Sequence, residues 1–145
     1  MEMDDVALLI RKLMRNMCLN EAMCKIYSIL ALSEKPISIR EISEKTGYSP
    51  TMIYSSMKDL IENNLVERVK EGKKIAYTAN INFIDVFEKR RKMITEEFLE
   101  PLSNIDVTKY RNSKRLKEIK DYAMTIKEYF KKINELKEEG IMIKK

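Results

Sequence analysis

Apolar residues recur at three- and four-residue spacing along most of the chain, and this period predicts a mainly helical protein. The spacing predicts a first helix over about residues 4–18. Asn20 is expected to cap a second helix that ends near Ser33. Ser38 opens a short third helix, and Gly47 is expected to close that helix in the left-handed conformation.

A fourth helix is predicted from Ser49-Pro50 to about Asn63-Asn64, with the serine as N-cap and the proline at the first helical position. Apolar residues recur along one side of this helix, and we expect all of them to face the core: Ile53, Met57, Leu60 and Ile61.

Two short strands are predicted next, over residues 65–70 and 74–79, with Glu71-Gly72-Lys73 as the hairpin turn between them. Helical periodicity returns at residue 82 and weakens around Pro101. A last helix is expected over about residues 107–139. Its apolar residues follow the alternating three- and four-residue spacing of a helix seam: Leu116, Ile119, Ala123, Ile126, Phe130 and Ile133.

The composition excludes several classes of function. The chain has 145 residues and a net charge of +5, which favours an anionic partner. It has no histidine, so imidazole catalysis and the usual histidine-containing zinc sites are excluded. Two cysteines, Cys18 and Cys24, cannot complete a tetrahedral metal site, and we interpret both as small core residues. We therefore expect no enzyme, no metal and no cofactor.

The sequence also predicts a cytoplasmic protein that does not contact membranes. The N-terminus is acidic where a signal peptide would be basic, and no stretch approaches the ~20 apolar residues that span a bilayer. Two cysteines in a chain of this length do not make a disulfide framework, which favours reduced thiols.

The middle of the chain has the order of a winged helix-turn-helix: a strand-like Pro36-Ile37, two helices joined by a glycine-containing turn, and a hairpin. Five segments of this region are informative: Ile42-Ser43, Thr46-Gly47-Tyr48-Ser49, Ile53-Tyr54, Met57-Lys58-Asp59-Leu60 and Asn64-Leu65-Val66-Glu67-Arg68. In these segments, residues 37–69 resemble the DNA-binding half of MarR-type transcription regulators, particularly the GbsR-like branch, with the TrmB-like group almost as close. Asn64 stands where that family often has glycine.

The resemblance implies that the fourth helix reads DNA and that the hairpin, the wing, lies along the backbone or minor groove. At 100° per residue, the helix face opposite the apolar stripe is centred on Thr51, Ser55 and Lys58, which suits a major groove. The candidate DNA-binding residues of the helix are Ser49, Pro50, Thr51, Met52, Tyr54, Ser55 and Lys58. Those of the wing are Arg68, Lys70, Lys73 and Lys74.

The flanking helices need apolar partners that the small winged core does not offer. We therefore expect a mostly α protein with a small β-hairpin, its winged helix-turn-helix flanked by N- and C-terminal dimerisation helices. The expected parts are residues 1–19 and 82–145 for dimerisation and residues 20–81 for DNA binding. The candidate dimerisation residues are Leu9, Leu13, Leu116, Ile119, Ile126, Phe130 and Ile133.

The positive charge is concentrated in two regions. Residues 37–92 have a net charge of +3 and residues 109–145 a net charge of +6, separated by an acidic stretch. Six cations at the start of the last helix either reach flanking phosphates or only solvate the helix. They are Lys109, Arg111, Lys114, Arg115, Lys117 and Lys120.

The sequence therefore predicts a transcription regulator that binds double-stranded DNA sequence-specifically, as a homodimer on a pseudo-palindromic operator. The alternative is a winged-helix module that binds another protein within a transcription complex. The resemblance also implies a small-molecule effector, which the sequence does not identify.

Overall fold

A computed structural model describes residues 1–17 and 19–140, and the chain divides into two compact units, residues 1–86 and residues 87 onward. The predicted fold class, mostly α with one small β-hairpin, is confirmed. The helices are α1 (Met3–Asn16), α2 (Glu21–Ala31), α3 (Ile39–Thr46), α4 (Pro50–Glu62), α5 (Phe83–Ile94), α6 (Glu100–Ser103) and α7 (Ser113–Glu138). The strands are β1 (Val66–Glu71) and β2 (Lys74–Ala79).

The predicted helix caps of the first unit are all in place. The side chains of Asn20, Ser38 and Ser49 each accept a hydrogen bond from a backbone N–H three residues later. Gly47 ends α3 with φ +75°, and Asn64, which follows α4, adopts φ +60°. Asparagine tolerates this left-handed conformation better than most residues, so it replaces the glycine common in the resembled family.

The core of the first unit lies under the helix-turn-helix and extends to α1. Met14 of α1 and Ile26 of α2 are fully buried in the same apolar cluster as Ile53 of α4. Tyr27 is also fully buried, and its hydroxyl donates a hydrogen bond of 2.6 Å to the carbonyl of Asn80. This bond ties α2 to the end of the hairpin.

One residue of the predicted α4 stripe does not reach the core. Ile53, Met57 and Leu60 are buried, whereas Ile61 is 38% exposed. At 100° per residue Ile61 and the small Ser56 lie on opposite sides of the centre of these three residues, at nearly equal angles of about 75° and about 65°, so the helical period alone does not separate them. The structure buries Ser56, which is the fourth buried residue of α4.

Of the two cysteines, the structure describes Cys24. Cys24 is fully buried in α2, and its thiol donates a hydrogen bond of 3.5 Å to the carbonyl of Leu19. Burial raises the pKa of the Cys24 thiol, which disfavours the reactive thiolate. The prediction for Cys18 falls outside the described residues.

The second unit contains α7 packed along the segment that joins α5 to α6. This segment, Thr95–Leu99, is π-helical, and the Glu100 N–H donates to the carbonyl of Thr95, five residues back. The wider turn comes directly before Pro101, which has no N–H to donate to the preceding turn and lies in the first turn of α6. The expected weakening at the proline is therefore a local change of helix type.

The last helix begins later than its period predicts. Residues Val107–Lys109 form a 3₁₀ turn, and α7 starts at Ser113. The Asp106 side chain accepts from the Thr108 N–H and stabilises the separate turn. Within the second unit, the Arg91 guanidinium lies 5.4 Å from the Phe130 ring centroid and donates to the Phe130 carbonyl, which fastens α5 to α7.

None of the helices in the described residues is long and apolar enough to cross a membrane.

Candidate nucleic-acid interface

The outer face of α4 is polar and open to solvent. Thr51, Ser55 and Lys58 are exposed on the side opposite the buried stripe. Met52 and Tyr54 are exposed at the two edges of this face, and Ser49 and Pro50 are exposed at its N-terminal end. All seven candidate residues of this helix are thus accessible, and they present hydroxyl groups and one ammonium group to a ligand.

The register of the hairpin separates the charges of the wing. Arg68 pairs with Tyr77 and Lys70 with Ile75, so these four side chains share one face of the two-stranded sheet. The opposite face carries Glu67, Glu71 and Lys74, because successive side chains of a strand alternate. One face of the wing is therefore cationic and the other carries both acids.

The two-residue turn at the tip of the wing is built on glycine. Glu71 pairs with Lys74, which leaves Gly72 and Lys73 as the turn, and Gly72 has φ +62°. A positive φ at the first turn position suits a tight hairpin and is costly for other residues. The other end of β2 is held by Ile37, whose N–H and carbonyl both bond to the backbone of Tyr77.

A groove runs between α4 and the cationic face of the wing. It brings together Lys58 of α4, Arg68 of β1 and Lys73 of the turn. Lys70 and Lys74 do not line it. Its floor is apolar and includes Ile61, so this isoleucine outside the core still lies against other apolar side chains.

The groove also contains residues that sequence reasoning missed. Ser38 and Arg40, at the start of α3, line its far wall. Arg40 is exposed and forms an ion pair with Glu44, Nε to Oε1 at 3.3 Å. Such exposed pairs contribute little free energy, so the guanidinium remains able to exchange its partner. The sequence signal was the position of Arg40 in the first turn of the first helix of the helix-turn-helix.

The groove is electrostatically suited to phosphate groups. Lys58, Arg68 and Lys73 make no ion pair with any acidic side chain in residues 1–17 and 19–140. Glu62 is the acidic residue on the groove wall. Three unpaired cations around an apolar floor can hold a polyanionic backbone, while the hydroxyls of α4 lie beside them.

The candidate dimerisation residues differ in exposure. Leu9 is exposed on α1, whereas Leu13 packs against the core of its own unit. On α7, Ile119 is 40% exposed. The other candidates of this helix are half-buried: Leu116, Ile126, Phe130 and Ile133.

Comparison with known proteins agrees with this geometry. The family model described as "Sugar-specific transcriptional regulator TrmB" matches residues 14–81, the segment from the end of α1 to the end of the wing. The crystal structure of a transcriptional regulator superposes with a TM-score of 0.62 over 90% of this chain and 94% of that chain, at 15% identity. The matched segment is 68 of the 145 residues, and the superposition shows that this chain has a winged helix-turn-helix fold like that of the solved regulator.

Two further structures resemble this chain more loosely. The transcriptional regulator Tm0710 from Thermotoga maritima covers 97% of this chain and 94% of its own, with 15% identity and a TM-score of 0.45. A MepR mutant from S. aureus, bound to an oligodeoxyribonucleotide, covers 86% of this chain and 89% of its own, with 10% identity and a TM-score of 0.46. No curated protein sequence matches this chain.

Within the described parts of the chain, no three histidine, cysteine or acidic side chains are grouped so that they could hold a metal ion. The interface described above is the feature of the first unit with an evident binding chemistry.

Proposed function

We propose that this chain regulates transcription by binding double-stranded DNA sequence-specifically, as a homodimer on a pseudo-palindromic operator. The observation that carries the proposal is the groove in which Lys58, Arg68 and Lys73 converge. α4 enters the major groove, which is about 12 Å wide, and the sugar-phosphate backbone follows the groove between α4 and the wing.

The roles within this interface follow from side-chain chemistry. Thr51 and Ser55 can donate to or accept from base edges, and Lys58 can donate to guanine or to a phosphate. Arg68 and Lys73 contact phosphates and position the protein without reading sequence. Arg40 adds a further phosphate contact from α3 once it leaves Glu44.

DNA binding is tested with duplex fragments of the source genome. Fragments retained by the full chain are selected and sequenced, and binding is then measured at ~50 mM salt, where backbone contacts are strong. Enrichment of a common half-site repeated with twofold symmetry supports the proposal. Absence of retardation at this salt concentration refutes DNA binding and favours the alternative, a winged-helix module that binds protein.

The exposed side of α7 supports the homodimer. Apolar residues spaced by three and four positions form a seam on this side, in which Ile126 and Ile133 are half-buried and the others are exposed: Ile119, Tyr122, Ile126, Tyr129, Ile133 and Leu136. Tyr122 is 72% exposed, Tyr129 is 62% exposed, and Leu136 is 40% exposed. Aromatic and branched side chains at this spacing pack into the matching seam of a second helix.

This seam differs from the one that sequence periodicity favours. Ala123 is buried against its own unit, and Phe130 lies under Arg91. The isoleucines at 119, 126 and 133 lie between the two sides and belong to both spacings. We therefore place the dimer contact on the isoleucines together with Tyr122 and Tyr129, and include the exposed Leu9 of α1 as a secondary contact.

The dimer is tested by replacing Tyr122 and Tyr129 together with glutamate. Sedimentation of the wild-type chain at micromolar concentration should give twice the chain mass of 17.2 kDa, and that of the double variant a single chain mass. The control variant Tyr54→Glu replaces an exposed tyrosine of the first unit with a carboxylate and should leave the dimer intact. A double variant that stays dimeric would place the contact elsewhere.

A further inference from the structure

The start of α7 carries a dense cluster of cations that the fold does not use. We call residues 109–117 the basic segment, since they contain five cations and no acidic residue: Lys109, Arg111, Lys114, Arg115 and Lys117. All five side chains are exposed. None of them forms an ion pair with an acidic side chain in residues 1–17 and 19–140.

Lysines in the rest of α7, unlike the cations of the basic segment, contact other parts of the second unit. Lys120 donates to the Ile105 carbonyl at 3.0 Å, Lys127 pairs with Glu100 at 3.2 Å, and Lys137 pairs with Glu88 at 3.2 Å. These lysines fasten α7 to the rest of the second unit. The cations of the basic segment make no such contact, so packing of the fold does not account for them.

The cluster is unfavourable for the helix that carries it. Lys114 and Lys117 lie one turn apart, where like charges repel each other and destabilise a helix. The N-terminal end of a helix also carries partial positive charge, and the first turn of α7 has no acidic residue to offset it. An arrangement that disfavours the isolated fold is expected where a polyanion neutralises it.

Three of the cations line one concavity. Arg111, Lys114 and Arg115 surround it together with Asn112 and Ser113, whose amide and hydroxyl groups are further hydrogen-bond donors. Glu118 lies at its edge and pairs with none of the three cations. Guanidinium and ammonium groups with neutral donors between them are the groups that bind phosphate oxygens.

We propose that the basic segment is a second contact surface for the phosphate backbone of duplex DNA, separate from the winged interface. This inference rests on the proposed function, because it takes as its ligand the same duplex DNA that the first unit is proposed to bind. The contacts involve phosphates alone, so they raise affinity for all sequences alike and steepen the dependence of binding on salt.

The test uses the full chain and a fluorescent, mixed-sequence duplex of about 30 base pairs, so that no operator is needed. The variant Lys114→Gln/Lys117→Gln removes two charges from the basic segment. The control Lys131→Gln/Lys132→Gln removes two exposed charges from the same helix, where Glu128 and Glu135 lie one turn away on either side. Both variants have the same net charge and the same residue types.

The expected result is a difference in salt dependence between these two variants. Each lost phosphate contact lowers the slope of log affinity against log salt by about 0.9, so the first variant should lose roughly 1.8 and bind at least about tenfold more weakly at ~50 mM salt. The control should keep the wild-type slope. Arg111 lies outside α7, so Arg111→Gln should leave that helix folded. This variant should lower the salt slope by about 0.9.

The outcomes separate this inference from the proposed function. If Lys73→Ala weakens binding while the basic-segment variants behave like the control, the winged interface stands and the second surface is refuted. If the wild-type chain does not bind the duplex at ~50 mM salt, both fail together.

Discussion

Lys73→Ala is the most direct test of the wing, because the chain provides a matched control in the next residue. Lys73 lies in the hairpin turn and lines the groove beside α4. Lys74 begins β2 opposite Glu71, on the face of the wing that also carries Glu67. Both lysines are exposed, and both variants remove one charge from the tip. Only Lys73 faces the proposed path of the DNA backbone.

The magnitude follows from counterion release. A lysine that neutralises one phosphate contributes about 0.9 to the slope of log affinity against log salt on duplex DNA. A fourfold rise in salt, from ~50 to ~200 mM, therefore costs about 3.5-fold in affinity for each contact. Lys73→Ala should lose one such increment and weaken binding to every sequence by a similar factor. Lys74→Ala should change the slope by much less than 0.9.

The assay is fluorescence anisotropy with a labelled duplex at several salt concentrations, repeated on a selected site and on a scrambled site. Both variants should unfold close to the wild-type temperature, because both lysines are exposed and neither forms an ion pair within the described residues. Equal slopes for the two variants would refute the assignment of the groove face. A loss confined to the selected site would show that Lys73 reads bases and does not bind phosphate.

Three further predictions concern α4, the core and the turn. Lys58→Ala should weaken binding and relax base preference by ~1–3 kcal/mol at one position of a selected site, measured by competition with single-base variants. Tyr27→Phe removes the hydroxyl that donates to Asn80 and should lower the free energy of unfolding by about 1–2 kcal/mol in denaturant titrations. Because burial raises the pKa of Tyr27 from 10.0 to about 12, wild-type stability should fall more steeply between pH 10 and 12 than the stability of Tyr27→Phe. Gly47→Ala forces a side chain into φ +75° and should cost about 1–2 kcal/mol by thermal unfolding, with DNA affinity retained in the folded fraction.

The local features of the first unit could be predicted because they depend on residues near in sequence. Ser49 caps α4 and Gly47 closes α3 through contacts within a few residues, so the residue types suffice. The sequence wrongly predicts Ile61 in the core and does not indicate that Arg40 lines the groove. Both positions depend on how closely the wing approaches the helices. That approach is a tertiary contact between strand and helix, and no periodicity records it.

The second unit was harder to predict for a related reason. The apolar spacing of α7 is compatible with two seams that share the isoleucines, and periodicity does not say which seam meets the same chain. Arg91 settles this by lying over Phe130 and bonding to its carbonyl. The side that carries Tyr122 and Tyr129 is consequently the one left exposed, and this changes which residues a second copy of the chain would contact.

The polarity of the wing depends on hairpin register. With Glu71 paired to Lys74, the side chains of Arg68 and Lys70 fall on the cationic face. A shift of one residue would move every side chain of β1 to the other face and bring Glu67 and Glu71 to the face that now carries Arg68 and Lys70. The register is held by the two-residue turn at Gly72, whose φ of +62° disfavours any residue with a side chain. The turn glycine therefore determines which face of the wing would attract a phosphate backbone, if the wing binds DNA as proposed.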